Sequence, residues 1–200
     1  LNLKSLVRPK KYRSYKGQIG RIAKNLLKRQ FTASQPNQRW VTDVTEFKVN
    51  GEKLYLSPIL DLYNQEIISY EIAKKPKYDL VKLMLEKALK RFTNSKKGRK
   101  KLILHSDQGW QYQMSHYQQN LKDHNIKQSM SRKGNCYDNA VMENFFGILK
   151  SECFYTQQFK SVDQLEDELH KYIDYYNHKR IKLKLKGLSP IEYRTQSLSL

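Results

Sequence analysis

Residues 39–49 read RWVTDVTEFKV, and this stretch determines the fold class that the rest of the chain has to match. Its β-branched and aromatic side chains predict a strand. An Asn-Gly pair at positions 50–51 is a hairpin turn signal. The apolar segments 53–64 and 66–73 predict a second and a third strand. The fold therefore opens with a meander of three strands.

Helices and strands alternate after this meander. Apolar periodicity predicts a helix over residues 79–92, capped by Asp79. Residues 101–107, KLILHSD, predict a strand of the kind that is buried on both faces of a sheet. A helix over residues 116–125 and a short strand over residues 126–131 follow. The meander and these two strands together give five.

Two more helices are predicted from their cap residues. The first starts at Asp138 or Asn139, and the second starts at Ser161, with Gln164 completing a capping-box pattern. The order of three strands, helix, strand, helix, strand and two helices predicts an α/β fold with a mixed five-stranded sheet flanked by helices.

The net charge indicates the class of partner. The chain has 200 residues with 38 Lys and Arg against 19 Asp and Glu, a formal charge of +19. A polyanion, most commonly nucleic acid, is the partner that this excess favours. A membrane is disfavoured because it needs an amphipathic anchor or an apolar span of about 20 residues, and the apolar runs here are far shorter. The two cysteines show neither metal-ligand spacing nor a disulfide framework, which favours a reducing cytoplasm.

The N-terminal part of the chain has a different composition from the remainder. No acid precedes Asp43, whereas eleven basic residues do. We assign residues 1–35 to a basic arm or linker and residues 36–195 to the core with a C-terminal helical extension. Apolar spacing predicts a short helix over residues 18–31. The chain starts at Leu1 rather than Met, so we expect a fragment of a longer protein. The arm is either a solvated tail or a DNA-backbone contact, made by Lys10, Lys11 and Arg13.

Three acids stand where a strand or helix would hold them rigidly. Asp43 lies among β-branched residues, Asp107 ends the buried strand, and Glu143 lies on the helix after the Gly134 loop. Taken singly, each acid is more simply interpreted as a hydrogen-bonded structural residue or a solvated surface acid. Together the three form a minimal oxygen cage for hard divalent ions, and two such ions about 4 Å apart promote phosphodiester chemistry.

The local motifs are more specific than the acids alone. RWVTDVTEF, HSDQGWQY, SRKGNCYDNAVMENFFGILKSE and YNHKRIKLKLKGLSPIEYR resemble four blocks of the catalytic protein of IS-three-type bacterial insertion sequences. Asp43, Asp107 and Glu143 resemble the DDE triad of these transposases and of retroviral integrases, with 35 residues (143 − 107 − 1) between the last two. The resemblance covers residues 38–194.

The resemblance implies an RNase H-like fold and two Mg²⁺ or Mn²⁺ ions, with Asp43 shared between them. It implies nicking of double-stranded DNA at transposon terminal inverted repeats, and joining of the freed 3′-OH to target DNA. It also implies a homodimer or larger assembly on DNA, a bacterial cytoplasmic protein that is nucleoid-associated when acting, and an upstream helix-turn-helix region reduced here to the basic arm. The rival functions are a nuclease that cleaves without joining and a non-catalytic DNA-binding module.

Further basic residues are candidates for DNA contact. Lys150 lies two turns after Glu143, on a polar face that also contains Asn139 and Phe146. Integrase-like proteins place a DNA-contacting lysine there, and a solvated lysine is the alternative. Arg132 and Lys133 precede Gly134 in a loop that either grips substrate or only connects. A phosphate-backbone contact is also assigned to an acid-free segment, through Lys179 and Arg180.

Three aromatic or imidazole side chains near Asp107 have structural interpretations that we favour. His105, two residues before Asp107, is expected to be a hydrogen-bonded structural histidine rather than a contact to DNA or to a carboxylate of the metal site. Trp110 and Tyr112 are expected to pack in the core rather than to stack on unpaired bases.

Overall fold

The computed structural model describes residues 20–93 and 102–198. Three of the predicted DNA contacts, Lys10, Lys11 and Arg13, lie outside the described residues. In the described ranges, no helix is both long enough and apolar enough to cross a membrane.

A mixed sheet forms the centre of the molecule. Its strands are β1 Arg39–Thr42, β2 Thr45–Val49, β3 Glu52–Asp61, β4 Ile67–Ala73, β5 Ile103–Ser106 and β6 Lys127–Met130. The order across the sheet is β4, β3, β1, β5, β6, with β2 also paired to β3. The strands β1 and β2 pair antiparallel to β3 in one continuous register. They therefore share one position in the sheet, which agrees with the five strands predicted.

The pairing of β1 and β2 with β3 is interrupted at Asp43. The register on either side places Asp43 and Val44 opposite Pro58 and Ser57 of β3. Pro58 has no N–H to donate, and its carbonyl instead accepts a hydrogen bond from Thr42 Oγ1 at 2.8 Å. The break leaves Asp43 at the end of β1, where its carboxylate is available to a site.

Helices cover both faces of the sheet. They are α1 Tyr78–Thr93, α2 Trp110–Gln113, α3 Ser115–Asp123, α4 Ala140–Leu149, α5 Val162–His178 and α6 Pro190–Leu198, and α4 continues into a π-helical turn at Lys150–Phe154. Successive strand residues point to opposite faces, so Trp40 packs in the core beneath α1 whereas Val41 packs in the core beneath α4 and α5. The predicted arrangement of a sheet flanked by helices is confirmed.

The helix predicted over residues 18–31 is wrong over its described part, because residues 20–26 form no regular secondary structure and are followed by a turn. The N–H groups of Leu26 and Leu27 donate to Ser129 Oγ at 2.8 and 3.2 Å, and the N–H of Ala23 donates to Met130 Sδ at 3.3 Å. Since β6 takes the donors that a helix would use internally, the segment runs along that strand, and Leu27 is buried in the core.

The helix ends differ from prediction at one of the three expected caps. Asp79 lies inside the first turn of α1, which begins at Tyr78. The predicted start of α4 at Asp138 or Asn139 is confirmed, because Asn139 holds the cap position, although its side chain makes no cap bond. The Ser161 cap is confirmed, because its Oγ accepts from the Gln164 N–H at 3.2 Å.

The helix α6 was not among the predicted elements. Its start has the two-way capping pattern of Ser189 and Glu192, in which the Ser189 N–H donates to Glu192 Oε2 at 2.8 Å and the Glu192 N–H donates to Ser189 Oγ at 3.4 Å. Pro190 stands at the first helical position, where the absence of an N–H costs nothing. These residues were present as a helix-start signal in the sequence.

Candidate active site

Two carboxylates meet at the edge of the sheet where β1 and β5 end. These strands are parallel neighbours, with Val41 paired to His105. Continuing that register by two residues brings Asp43 opposite Asp107. Adjacent strands lie about 4.8 Å apart, so the two acids, far apart in sequence, become side-by-side neighbours.

Hydrogen bonds fix both carboxylates. Asp43 Oδ1 accepts from the Val44 N–H at 2.7 Å, and its Oδ2 accepts from Asn139 Nδ2 at 3.0 Å. Asp107 Oδ1 accepts from the Gly109 N–H at 2.9 Å. A Cβ added to Gly109 would lie 3.0 Å from that same oxygen, so glycine permits the close approach of the backbone.

The electrostatics of this pair are unfavourable for two ionised acids. Burial, and then the negative charges of Asp107 and Glu143, raise the pKa of Asp43 well above its usual value. Burial also raises the pKa of Asp107. Among the described residues, no Lys or Arg forms an ion pair with either carboxylate. Buried acids that lack a basic partner point to a cation supplied from outside the chain.

Glu143 completes the acid set from the first turn of α4. It lines, with Asp43 and Asp107, a cleft of about 450 Å³. Over residues 20–93 and 102–198, no three His, Cys, Asp or Glu side chains are already gathered as a metal cage. The Glu143 side chain is exposed, so turning it toward the pair would disrupt no core packing. The donor set consists of oxygen atoms, which fits a hard divalent cation.

A buried acid organises the loop that forms the mouth of the cleft. The Asp138 side chain is fully buried and accepts from the Arg132 N–H, Nε and Nη2, each at 3.0 Å. It also accepts from Arg29 Nε at 2.9 Å and Asn25 Nδ2 at 3.0 Å. Hydrogen bonds from Arg132 and Arg29 hold the pKa of Asp138 well below its usual range. Arg132 is thus anchored, whereas Lys133 lines the cleft as an exposed cation.

The other described DNA-contact candidates lie away from the acid pair. The Lys150 ammonium lies 5.3 Å from the centre of the Phe47 ring. Arg180 Nε donates to Glu152 Oε2 at 2.8 Å. Lys179 is exposed just after α5, near the β3–β4 turn at the opposite edge of the sheet. The structure therefore brings Arg132 and Lys133 to the cleft, but not Lys179 and Arg180.

One residue of α4 lies on a different face from the one predicted. Phe146 was assigned to the polar face of Glu143 and Lys150, yet it is only 8 % exposed and belongs to the core. The buried face of α4 is therefore wider than the apolar stripe formed by Val141, Phe145 and Leu149.

The favoured structural interpretations of His105 and Tyr112 agree with the contacts. His105 is buried, with Nδ1 hydrogen-bonded to Ser129 Oγ at 2.8 Å and Nε2 to Ser131 Oγ at 3.1 Å. Burial lowers its pKa to about 4, so the ring is neutral at pH 7. Tyr112 is fully buried and packs edge-on against Tyr117. Trp110 is partly exposed at the start of α2.

Asn139 was predicted to be a possible helix cap on the face of Glu143, but it was not predicted to be a site residue. Its side chain lines the cleft and holds Asp43 instead of capping α4. The available signal was its position four residues before Glu143, which places both side chains on one face of the helix.

Comparison with known proteins identifies the relatives of this chain. Models described as integrase core domain match residues 33–136 and 143–198. The chain is 56% identical over 98% of its length to the putative transposase InsK for insertion sequence element IS150 of Escherichia coli K12, spanning 68% of that protein. It is equally identical, 56%, over 100% of its length to an uncharacterized transposase-like protein of Haemophilus influenzae, spanning 90% of it. With the E. coli transposase InsF for insertion sequence IS3A the identity is 36%, over 93% of this chain and 64% of that protein.

Solved structures give the fold independently. The HTLV-2 integrase catalytic core domain, determined in complex with magnesium, superposes with a TM-score of 0.60 at 19% identity, covering 80% of this chain and 98% of that one. The BIV integrase catalytic core domain gives a TM-score of 0.55 at 19% identity, over 82% of this chain and 97% of that one. The expected RNase H-like fold is confirmed, and the chain belongs to the integrase core domain family as the catalytic core of an insertion-sequence transposase.

Proposed function

We propose that the cleft formed by Asp43, Asp107 and Glu143 performs both steps of DDE transposition, nicking DNA at the transposon ends and joining the freed 3′ ends to a target. The observation that supports this proposal most directly is that strand pairing places Asp43 beside Asp107. Neither carboxylate has a basic partner among the described residues. Glu143 lines the same cleft, and the surrounding chain carries a net charge of +19. This combination supports a site for cations and phosphodiesters together.

The three carboxylates would hold divalent cations, two Mg²⁺ or Mn²⁺ ions in this proposal, with Asp43 between the two sites. Bound cations of this kind supply Lewis-acid stabilisation of charge on the attacking and leaving oxygens. The chain itself contributes fixed carboxylate orientations through the N–H groups of Val44 and Gly109. It also contributes a cleft wall in which these oxygens are shielded from bulk water.

The chemistry balances in two displacements at phosphorus. In nicking, a water oxygen bonds to phosphorus, the bond from phosphorus to the 3′ oxygen breaks, and the products are a 3′-OH and a 5′-phosphate. In joining, that 3′ oxygen loses its proton and bonds to a target phosphorus, while the target 3′ oxygen leaves and takes up a proton. No protein group becomes covalently attached, so the three acids serve both steps.

Double-stranded DNA is the proposed substrate, as terminal inverted repeats in the first step and target in the second. Lys133 and the anchored Arg132 line the cleft and would contact the backbone near the scissile bond. Lys150 would extend that path along α4. Lys179 and Arg180 would contact DNA only where it also passes the opposite edge of the sheet. Lys10, Lys11 and Arg13 remain proposed contacts of the arm, and a homodimer or larger assembly would place two DNA ends together.

A strand-transfer assay tests the proposal. The protein is incubated with Mg²⁺ and labelled transposon-end DNA, and wild type is compared with Asp43→Asn, Asp107→Asn and Glu143→Gln. Glu66→Gln is the matched control, because Glu66 is a buried acid at the opposite edge of the sheet and does not line the cleft. We expect nicked and joined products from wild type and the control only. Nicking without joining would show a nuclease, and binding without cleavage would show a non-catalytic module.

A further inference from the structure

The side chain at the cap position of α4 does not do what a cap residue does. Asn139 is 5 % exposed, and asparagine at this position ordinarily accepts a hydrogen bond from an N–H of the first turn. Here no side-chain cap bond forms. The amide nitrogen instead donates to Asp43 Oδ2, from a position 96 residues away in sequence. Asn139 therefore contacts an acid of the site instead of stabilising the first turn of its own helix.

The other half of the same amide is left without a partner. Asn139 Oδ1 is buried and accepts no hydrogen bond from the described residues. A buried acceptor without a donor destabilises a fold. Of the buried side-chain atoms that lack a partner in the described ranges, it is the one that lines the acid cleft. A residue selected for stability alone would not be placed in this way.

A second buried asparagine shows the structural alternative. Asn177, near the end of α5, is 7 % exposed. Its Oδ1 accepts from the Ile67 N–H at 2.9 Å and its Nδ2 donates to the Ile67 carbonyl at 3.0 Å. Both amide atoms satisfy backbone groups of the edge strand β4. Asn177 therefore stabilises the fold, whereas Asn139 contacts only an acid of the cleft.

The backbone around Asn139 is held independently of its side chain. The preceding residue, Asp138, is clamped by Arg132, Arg29 and Asn25. Its N–H also donates to the Asn135 carbonyl at 3.2 Å. Removing the Asn139 amide should therefore leave the start of α4 in place. This separation of side chain from backbone makes the role of the amide testable.

We propose that Asn139 is a positioning residue that sets the orientation of the Asp43 carboxylate for cation binding and phosphodiester chemistry. The inference rests on the proposed function. Asp43 has two oxygens, and the Val44 N–H engages only Oδ1. The Asn139 amide engages Oδ2 and thereby prevents rotation of the carboxylate about its last bond. Without it, Asp43 would be held on one side only.

The test compares Asn139→Ala and Asn139→Ser with the matched control Asn177→Ala. Mn²⁺ affinity is measured by calorimetry, nicking by a gel assay, and folding by thermal melting. We expect Asn139→Ala to lower Mn²⁺ affinity or nicking rate by about 10- to 100-fold, the usual effect of losing a partner of a metal ligand. Its melting temperature should stay within about 2 °C of wild type. Asn139→Ser should lose function equally and match or exceed the wild-type melting temperature, because serine is a good cap.

The control should show the reverse pattern. Asn177→Ala leaves two buried backbone groups unpaired, so its melting temperature should fall by about 5–10 °C, with Mn²⁺ affinity and nicking unchanged below that temperature. An Asn139→Ala protein with wild-type affinity and rate, or one that is unstable, would overturn the inference. A wild type that binds Mn²⁺ but never nicks would refute the proposed function while the affinity comparison still decides the role of Asn139. Absence of Mn²⁺ binding by wild type would refute both.

Discussion

The two edges of the same sheet each hold a pair of acids, but the two pairs differ in their basic partners. At the edge that we propose to be catalytic, Asp43 and Asp107 have no basic partner within the described residues. At the opposite edge, Glu66 is 1 % exposed and lies 2.9 Å from Arg91 and 2.7 Å from Arg194. Asp61 beside it accepts the N–H groups of Asn37 and Tyr63. Arginine side chains neutralise the acids at the opposite edge, whereas no basic side chain among the described residues neutralises Asp43 and Asp107.

This difference separates a structural cluster from a functional one. Removing one member of a buried ion pair leaves the other charge uncompensated, so neutralised clusters mainly affect stability. Carboxylates held close together without neutralisation cost stability, and such costs concentrate at functional sites. The comparison predicts opposite responses at the two edges to the same kind of substitution.

The largest expected effect is at the catalytic edge. Asp107→Asn should lower nicking by about 10³-fold or more, because a neutral amide replaces a proposed metal ligand. The same change should raise stability by about 1 kcal/mol, seen as a rise of about 2–4 °C in melting temperature, since it removes one of two repelling charges. Gel assays and thermal melts check the two parts. A loss of activity accompanied by a lower melting temperature would contradict this interpretation.

Glu66→Gln should show the opposite pattern. It leaves Arg91 and Arg194 without their carboxylate and should lower the free energy of unfolding by about 2–3 kcal/mol, reduced from the fully buried case because both arginines are partly exposed. Urea unfolding measures this change. Nicking per folded molecule should match wild type at 25 °C, about the usual assay temperature. An activity loss larger than the unfolded fraction would show that the two edges are coupled.

The pH dependence of stability provides a finer test at the opposite edge. Burial raises the pKa of Asp61 from 3.8 to about 6. An acid with a raised pKa binds its proton more tightly in the folded state than in the unfolded state. Its contribution to the free energy of unfolding is therefore complete below about pH 4 and is lost as the pH rises through about 6. The loss relative to Asp61→Asn should approach about 3 kcal/mol. Urea unfolding of both proteins between about pH 4 and pH 7 measures it, and parallel curves would show that Asp61 does not titrate in this range.

The smallest effect is the response to added cation. A site that binds only in the folded state stabilises it by mass action, by about 1.4 kcal/mol at ten times the dissociation constant. Mn²⁺ should therefore raise the melting temperature of wild type and of Glu66→Gln by about 3–5 °C, but not that of Asp107→Asn. Equal shifts in all three proteins would place the cation elsewhere.

Local signals predicted much of this structure from the sequence. The meander, its Asn-Gly turn and the Ser161 cap depend on residues close together in the chain, and all were confirmed. The meeting of Asp43 and Asp107 was inferred from motif resemblance, and the structure accounts for it by strand register. The predictions that were wrong concern residues whose partners lie far away in the sequence. The donors of Leu26 and Leu27 are taken by Ser129, more than a hundred residues away.

The misassigned side chains have the same cause. Phe146 is buried in the core that also contains the apolar face of α5, which no periodicity within α4 reveals. Arg180 was predicted to contact the phosphate backbone of DNA, yet Glu152 lies 28 residues earlier in the chain and pairs with it. Asn139 holds the predicted cap position, but its amide donates to Asp43 across the cleft instead of capping the helix. In each case a tertiary contact outcompeted a local preference.

The path of residues 20–29 along β6 bears on where the independently folding unit begins. β6 is an outermost strand of the sheet, and uncovered edges promote pairing between molecules. Leu27 is 1 % exposed and shares Ser129 with Leu26. A chain shortened to start at residue 36 would lose this cover, and we expect it to self-associate in light scattering. A chain starting at residue 20 should remain monodisperse under the same conditions.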